Sequence, residues 1–141
     1  MSQPDTLIAY ADGAIGDGDG ATGVGVVLLD EHGQIVRWGN RRLERMTNNE
    51  AEYAGLMLAL ELAAPMKPQH LCVYLDSAVV VGQMNGECGV HAQSLRPWHR
   101  RACHAARRLR RVTYHHVPRL RNRLADALAN EALQGQIHTG P

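Results

Sequence analysis

Three runs that read as strands open the chain before any helical pattern begins. They cover residues 7–12, 24–29 and 34–43, and β-branched residues favour the pleated, half-buried surface of a sheet. A glycine-dense loop over residues 13–20 follows the first run, and the turn sequence Asp30-Glu31-His32-Gly33 separates the second from the third. Short connections of this kind join antiparallel neighbours. The chain is therefore predicted to begin as an antiparallel meander.

Helices and strands alternate over the rest of the chain. A helical pattern runs from Thr47 to Ala64 and stops before Pro65, because proline cannot continue a helix. The later segments are a strand at 71–76, a short helix at 77–84, a helix at 94–111, a strand at 112–117 and a helix from Asn122, its cap, to about Gln134. The order βββαβααβα predicts an α/β fold, with one five-stranded mixed sheet and helices on both faces.

The composition is that of one globular domain. Of the 141 residues, 45% are hydrophobic and 21% charged, which is typical of a soluble protein. We expect a domain over residues 1–134 and a tail at 135–141 that either is mobile or folds back over the sheet edge. The absence of an eighteen-residue apolar run excludes a spanning helix, so no membrane partner is expected. The N-terminus lacks a basic region followed by an apolar stretch, so a signal peptide is not expected either.

The three cysteines indicate the redox environment of the protein. They are an odd number, widely spaced and without a C-x-x-C pair. This pattern favours a reducing, cytoplasmic environment and argues against a zinc site.

The formal net charge of +1 hides two opposed halves. Residues 1–76 hold eleven acidic and five basic residues, whereas residues 77–141 hold three acidic and ten basic ones. Seven of these arginines lie within the helix predicted at 94–111. They form either a solvated helix face or a surface for a polyanion such as nucleic acid.

Four carboxylates stand where an unpartnered charge is costly. Asp12 and Asp76 end predicted strands, and the carboxyl ends of strands are where α/β sheets build their sites. In the helix from Thr47, Glu50 fits a capping box and faces solvent, whereas Glu52 falls on the apolar stripe. Asp126 lies at the edge of the apolar stripe of the last helix, which consists of Leu124, Ala125, Leu128, Ala129 and Ala132.

Each of these carboxylates alone has a structural explanation as a turn former, a cap or half of an ion pair. Together at one sheet edge they would repel one another and would be stable around hard cations. Ligation by oxygen alone suits Mg²⁺ or Mn²⁺.

Four blocks of residues resemble the type 1 ribonuclease H family. They are Tyr10-Ala11-Asp12-Gly13-Ala14, Thr47-Asn48-Asn49-Glu50-Ala51-Glu52-Tyr53-Ala54-Gly55-Leu56, Leu75-Asp76-Ser77, and the segment from His116-Val117-Pro118-Arg119 to Asn122-Arg123-Leu124-Ala125-Asp126-Ala127-Leu128-Ala129-Asn130. The combination of T-N-N-x-x-E with N-x-x-A-D-x-L-A is specific, and the blocks cover nearly the whole chain. The resemblance implies the ribonuclease H-like fold.

The resemblance also implies an activity. It is the hydrolysis of the RNA strand of RNA/DNA hybrids by a monomeric endoribonuclease, with two Mg²⁺ or Mn²⁺ ions in the site when substrate is bound. The products would carry a 3′-hydroxyl and a 5′-phosphate. The implied metal ligands and catalytic residues are Asp12, Glu52, Asp76 and Asp126. The implied substrate-binding residues are Gly13, Thr47, Asn48, Asn49, Arg119 and Asn122.

The chain departs from the family pattern in three places. The glycine loop has no Asn-Pro pair and carries two extra acids, Asp17 and Asp19, which should repel phosphates. The segment 117–122 is short and lacks the mobile histidine of many relatives, so that Arg119 is the candidate substitute. Only residues 86–93 separate two predicted helices, which leaves no basic protrusion.

Two other functions share these features. A nuclease of the same fold could act on double-stranded RNA or branched DNA, because two-metal chemistry is not restricted to one substrate. A hybrid-binding module with little turnover would have the same fold. The four acids argue against that module, since binding alone does not require them.

Overall fold

The computed structural model describes residues 4–18 and 20–141. Its strands are β1 (Thr6–Ile15), β2 (Thr22–Asp30), β3 (Ile35–Leu43), β4 (His70–Leu75), β5 (Val112–His116) and β6 (Thr139–Gly140). Its α-helices are α1 (Asn48–Ala63), α2 (Ala78–Met84), α3 (Arg96–Ala106) and α4 (Arg123–Leu133). Short 3-10 helices occupy Ala64–Met66 and Arg119–Arg121.

The strands form one mixed sheet in the order β5-β4-β1-β2-β3-β6. The pairs β1–β2, β2–β3 and β3–β6 are antiparallel, whereas β1–β4 and β4–β5 are parallel. The predicted α/β class, mixed sheet and antiparallel opening are confirmed. The predicted count of five strands is wrong by one, because the tail pairs Thr139 and Gly140 with β3.

Helices cover both faces of the sheet, as predicted. One face carries the buried core residues of β1, β2 and β4, which pack against α1. They are Leu7, Ala9, Ala11, Val24, Val26, Leu28, Leu71, Val73 and Leu75. On the opposite face, Gly23 and Gly25 of β2 leave room for the backbone of α4 at Ala125 and Ala129. Burial of this apolar surface is the main favourable term in folding, at about 25 cal/mol per Å².

Several ends of strands and helices differ from the predicted ones. Strand β1 continues through Ile15 rather than ending at Asp12, because residues 13–15 pair with 22–24 of β2. Helix α3 ends at Ala106 rather than at residue 111. After it, the amides of Arg107, Arg108 and Leu109 donate to carbonyls three residues back, which tightens the chain before it enters β5.

The apolar stripe predicted for the last helix is wrong at its first member. Leu124 is 56% exposed, whereas Ala125, Ala129 and Ala132 are buried. Small residues face the sheet here because the glycines of β2 bring the two backbones close together. None of the helices in the described ranges is long and apolar enough to cross a membrane.

Candidate active site

Parallel pairing places two carboxylates at the same edge of the sheet. The β1–β4 ladder runs in register to Tyr10 opposite Tyr74, and Asp12 and Asp76 each lie two residues further on. The parallel ladder ends at this edge, where β4 stops at Leu75 and β1 continues beside β2 alone. Helix α1 brings Glu52 to the same edge, and the first turn of α4 brings Asp126.

Glu50 and Glu52 of α1 have different environments, as their positions on the helix predict. Glu50 completes a capping box: its Oε1 accepts from the Thr47 amide at 3.1 Å, and its own amide donates to Thr47 Oγ1 at 3.3 Å. Glu52 is only 7% exposed. Its Oε1 accepts from the Gly13 amide at 3.1 Å, and its buried Oε2 has no hydrogen-bond partner in the described part of the chain.

Three carboxylates are close enough to share a cation. One oxygen from each of Asp12, Glu52 and Asp76 lies within 4.8 Å of the other two. Asp126 lines the same cleft. The donors are all carboxylate oxygens, and one of them is buried without a partner. This donor set fits a hard divalent ion such as Mg²⁺ or Mn²⁺.

Burial and mutual repulsion change how these acids titrate. Burial raises the pKa of Asp12 to about 10, and contacts with Glu52, Asp126 and Asp76 add to the effect. Burial also raises the pKa of Glu52 to about 7, although its hydrogen bond with Asp12 and the Gly13 amide oppose the rise. Both shifts favour the neutral carboxyl in the folded chain, and a bound cation would oppose them.

Asn122 differs from its predicted role as a cap. It occupies the N-cap position of α4, but its side chain makes no capping hydrogen bond. Instead Nδ2 donates to the Ala11 carbonyl at 2.8 Å and to Asp76 Oδ2 at 3.1 Å. The residue is 1% exposed, so this buried amide ties Asp76 to the β1 backbone at Ala11.

Four of the other predicted substrate-binding residues line the cleft, and one lies beside it. The cleft that contains the four carboxylates is also lined by Gly13, Asn48, Asn49 and Arg119. Thr47 lies beside it, in a shallower groove with Arg45 and Met46.

One residue beside the carboxylates is absent from the predicted site residues. Asn130 donates from Nδ2 to the carbonyl of Asp126 at 2.9 Å and to its Oδ1 at 3.2 Å. The spacing of four residues on a helix is the signal that could have identified it. On α3, Trp98 is half-buried against the core, and its indole N–H donates to Glu50 Oε2 at 3.0 Å.

The arginine-rich segment and the extra acid of the glycine loop lie at the surface. All seven arginines of the segment 94–111 are exposed, namely Arg96, Arg100, Arg101, Arg107, Arg108, Arg110 and Arg111. Asp17 in the glycine loop is exposed as well. Asp19, the other acid predicted to repel phosphates, lies outside the described residues.

The sequence matches a family and several known proteins. The family model described as "Reverse transcriptase-like" matches residues 10–132. A ribonuclease HI of Halobacterium salinarum is 40% identical over 134 residues, which cover 93% of this chain and 67% of that protein. A bifunctional protein of Mycobacterium tuberculosis is 36% identical over 128 residues. The chain spans 35% of the length of this mycobacterial relative.

Solved structures share the fold. The crystal structure of RNase H1 from Halobacterium salinarum matches with a TM-score of 0.87 and 38% identity, covering 92% of this chain and 98% of that one. LC11-RNase H1, solved in complex with an RNA/DNA hybrid, matches with a TM-score of 0.84 and 31% identity, covering 92% and 97%.

Proposed function

Because the chain belongs to the type 1 ribonuclease H family, we propose that it hydrolyses the RNA strand of RNA/DNA hybrids. The observation that carries the proposal is the cleft itself, where Asp12, Glu52 and Asp76 converge and Asp126 faces them. Water would add across the bond between phosphorus and the 3′-oxygen, leaving a 3′-hydroxyl and a 5′-phosphate. We also propose that residues 1–134 form the nuclease domain and that it acts as a monomer in the cytoplasm.

Divalent ions are part of this proposal. Two Mg²⁺ or Mn²⁺ ions would activate the attacking water and stabilise charge on the leaving oxygen when bound with substrate. By family resemblance, Asp12 would hold both ions, Asp126 the one beside the water, and Glu52 and Asp76 the one beside the leaving oxygen. The orphaned Oε2 of Glu52 supports this assignment, because a buried acceptor without a partner is costly unless a cation compensates it.

Other residues of the cleft would hold the substrate. Asn48 and Asn49 stand at the N-terminus of α1, where free backbone amides favour phosphate. Glu52 and the backbone near Gly13 would contact the 2′-hydroxyl that distinguishes RNA from DNA. Arg119 lines the cleft and would act through its charge, because a guanidinium stays protonated at neutral pH.

The test compares three labelled duplexes: RNA/DNA hybrid, RNA duplex and DNA duplex, each with and without Mg²⁺ or Mn²⁺. We expect metal-dependent cleavage of the hybrid and products that a ligase accepts as carrying 3′-hydroxyl and 5′-phosphate ends. Asp76→Asn should lower kcat at least about 100-fold, more than the loss of a residue that only supports a ligand. Glu44→Gln, which removes an exposed carboxylate outside the cleft, is the matched control.

The alternatives have distinct outcomes in the same assay. Cleavage of the RNA duplex or DNA duplex in preference to the hybrid would replace the substrate assignment. Metal-dependent binding of the hybrid without cleavage would identify a binding module. Cleavage that survives Asp76→Asn would place the activity elsewhere.

A further inference from the structure

Trp98 connects α3 to the first turn of α1. Its ring is half-buried and packs against the core, and its indole N–H donates to Glu50 Oε2 at 3.0 Å. Arg101 of the same helix places its guanidinium carbon 5.7 Å from the centroid of the ring. The ring is therefore held from two sides, in a position from which it binds the Glu50 carboxylate.

The Glu50 carboxylate also binds the backbone at the start of α1. Its Oε1 accepts from the Thr47 amide at 3.1 Å and from Thr47 Oγ1 at 2.9 Å. Asn48 and Asn49 lie between these two residues and line the carboxylate cleft. A single carboxylate thus joins α3, through Oε2, to the turn that carries both asparagines, through Oε1.

Glu50 faces the shallower groove beside the cleft, whereas Glu52 lines the cleft itself. An exposed carboxylate is ionised at neutral pH. If the Glu50 side chain were free to turn toward the cleft, its charge would repel the phosphates that the N-terminus of α1 otherwise favours. The Trp98 indole N–H therefore has two effects: it anchors the first turn of α1, and it keeps this negative charge outside the cleft.

We propose that Trp98 is a positioning residue for the substrate and that it acts through Glu50. The inference rests on the proposed hydrolysis of RNA/DNA hybrids. With the indole N–H in place, Asn48 and Asn49 stay where a phosphate of the hybrid meets the backbone amides at the start of α1. Without it, this turn loses one of its anchors, and helix ends fray readily. Trp98 thus contributes to binding of the hybrid from outside the cleft.

Other elements position the carboxylates that would hold the cations. Asp12 lies on β1, and Asp76 directly follows β4. Glu52 is held from the sheet, because its Oε1 accepts from the Gly13 amide of β1. Loss of the Trp98 hydrogen bond leaves these positions in place. We therefore expect Trp98 to affect KM for the hybrid and to have little effect on kcat.

Steady-state cleavage of a labelled RNA/DNA hybrid tests this role. Trp98→Phe keeps an aromatic ring and removes the N–H. We expect KM to rise about three- to tenfold, the range for losing one partly exposed hydrogen bond, with kcat nearly unchanged. In the Glu50→Ala protein the indole has no carboxylate to bind, so Trp98→Phe should not raise KM further. In the Asp76→Asn protein, Trp98→Phe should raise the Kd for the hybrid, measured by fluorescence anisotropy, by the same factor as KM.

The matched control is Trp38→Phe. Trp38 is the other tryptophan of the chain, is also half-buried, and lies on β3 opposite Gly140 of β6, so its substitution should leave KM unchanged. If the wild-type protein does not cleave the hybrid, the proposed function fails and this inference fails with it.

If the wild-type protein does cleave the hybrid, four results would overturn the positioning role alone. They are an unchanged KM in Trp98→Phe, a fall in kcat without a rise in KM, an equal rise in KM in Trp38→Phe, and a full effect of Trp98→Phe in the Glu50→Ala protein.

Discussion

Glu50 and Glu52 show how position on one helix turn separates a structural carboxylate from a site carboxylate. Glu50 is partly exposed, closes the capping box and accepts the Trp98 indole N–H. Bonds from Thr47 and Trp98 hold the pKa of Glu50 below its ordinary value. Glu52 faces inward beside Asp12, and its pKa moves in the opposite direction. The contrast follows from the 100° step between successive helical residues.

Neutral substitutions of the two glutamates should therefore have different effects. Glu52→Gln should lower kcat at least about 100-fold, because it removes a proposed cation ligand. Glu50→Gln should keep kcat and cost about 1 kcal/mol of stability through the weakened cap. Steady-state kinetics and urea unfolding of both variants measure the two effects. The reverse pattern would contradict the assignment.

Asn122 is a positioning residue for Asp76, and its predicted contact with substrate can be tested against that role. Asn122→Ala removes the amide that donates to Ala11 and Asp76. We expect kcat to fall about 10- to 100-fold, as for other residues that orient a ligand, with KM nearly unchanged. A raised KM at unchanged kcat would instead indicate direct contact with substrate.

At the scale of elements, the α4–β2 contact decides where Asp126 stands. A Cβ at Gly25 would collide with the Ala125 carbonyl and the Ala129 amide of α4. A Cβ at Gly39 of β3 would meet Leu62 at 3.4 Å, an ordinary contact. Gly39 is therefore a matched control for a substitution at Gly25.

Gly25→Ala should destabilise the protein by about 1–3 kcal/mol, the usual cost of overpacking. It should also lower kcat, because α4 carries Asp126 away from the cleft as it shifts. Gly39→Ala should have little effect on either quantity. Thermal unfolding and hybrid cleavage measure both. Equal stability of the two alanine variants would show that α4 does not pack as closely as described.

Element boundaries show where sequence patterns stop being sufficient. The capping box of α1 and the Ser77 cap of α2 are local signals, and both helices begin where predicted. The end of α3 is decided by contacts with distant segments and not by its own sequence. Its arginines have good helix propensity, but the chain must turn after Ala106 to place Leu109 in the core and to enter β5 beside β4.

At the scale of the whole molecule, the buried carboxylates make stability depend on pH and metal. In the unfolded chain Glu52 titrates near 4.5, and in the folded protein its pKa is about 7. The pKa of Asp12 is raised further. The folded state therefore binds more protons than the unfolded one, and stability falls as pH rises from about 4.5 through about 7 and beyond.

In EDTA, we expect Tm to fall over this pH range. Asp12→Asn should raise Tm at pH 8 by about 4 °C for each kcal/mol of the penalty for burying this carboxyl that it removes. Mg²⁺ should raise Tm of the wild-type protein and have much less effect on Asp12→Asn. Glu44→Gln, which removes an exposed charge, should behave as the wild type. Differential scanning calorimetry measures these shifts, and a lower Tm for Asp12→Asn in EDTA would contradict the argument.

The sequence by itself determines the order of the first five strands and the helices, and the helix face that turns Glu52 inward. These depend on propensity and periodicity within a few residues. Tertiary structure alone decides that three carboxylates approach within 4.8 Å, that Asn122 reaches Ala11 across 111 residues, and that the tail adds a sixth strand. Such contacts depend on packing between distant segments, whose energy no local pattern contains.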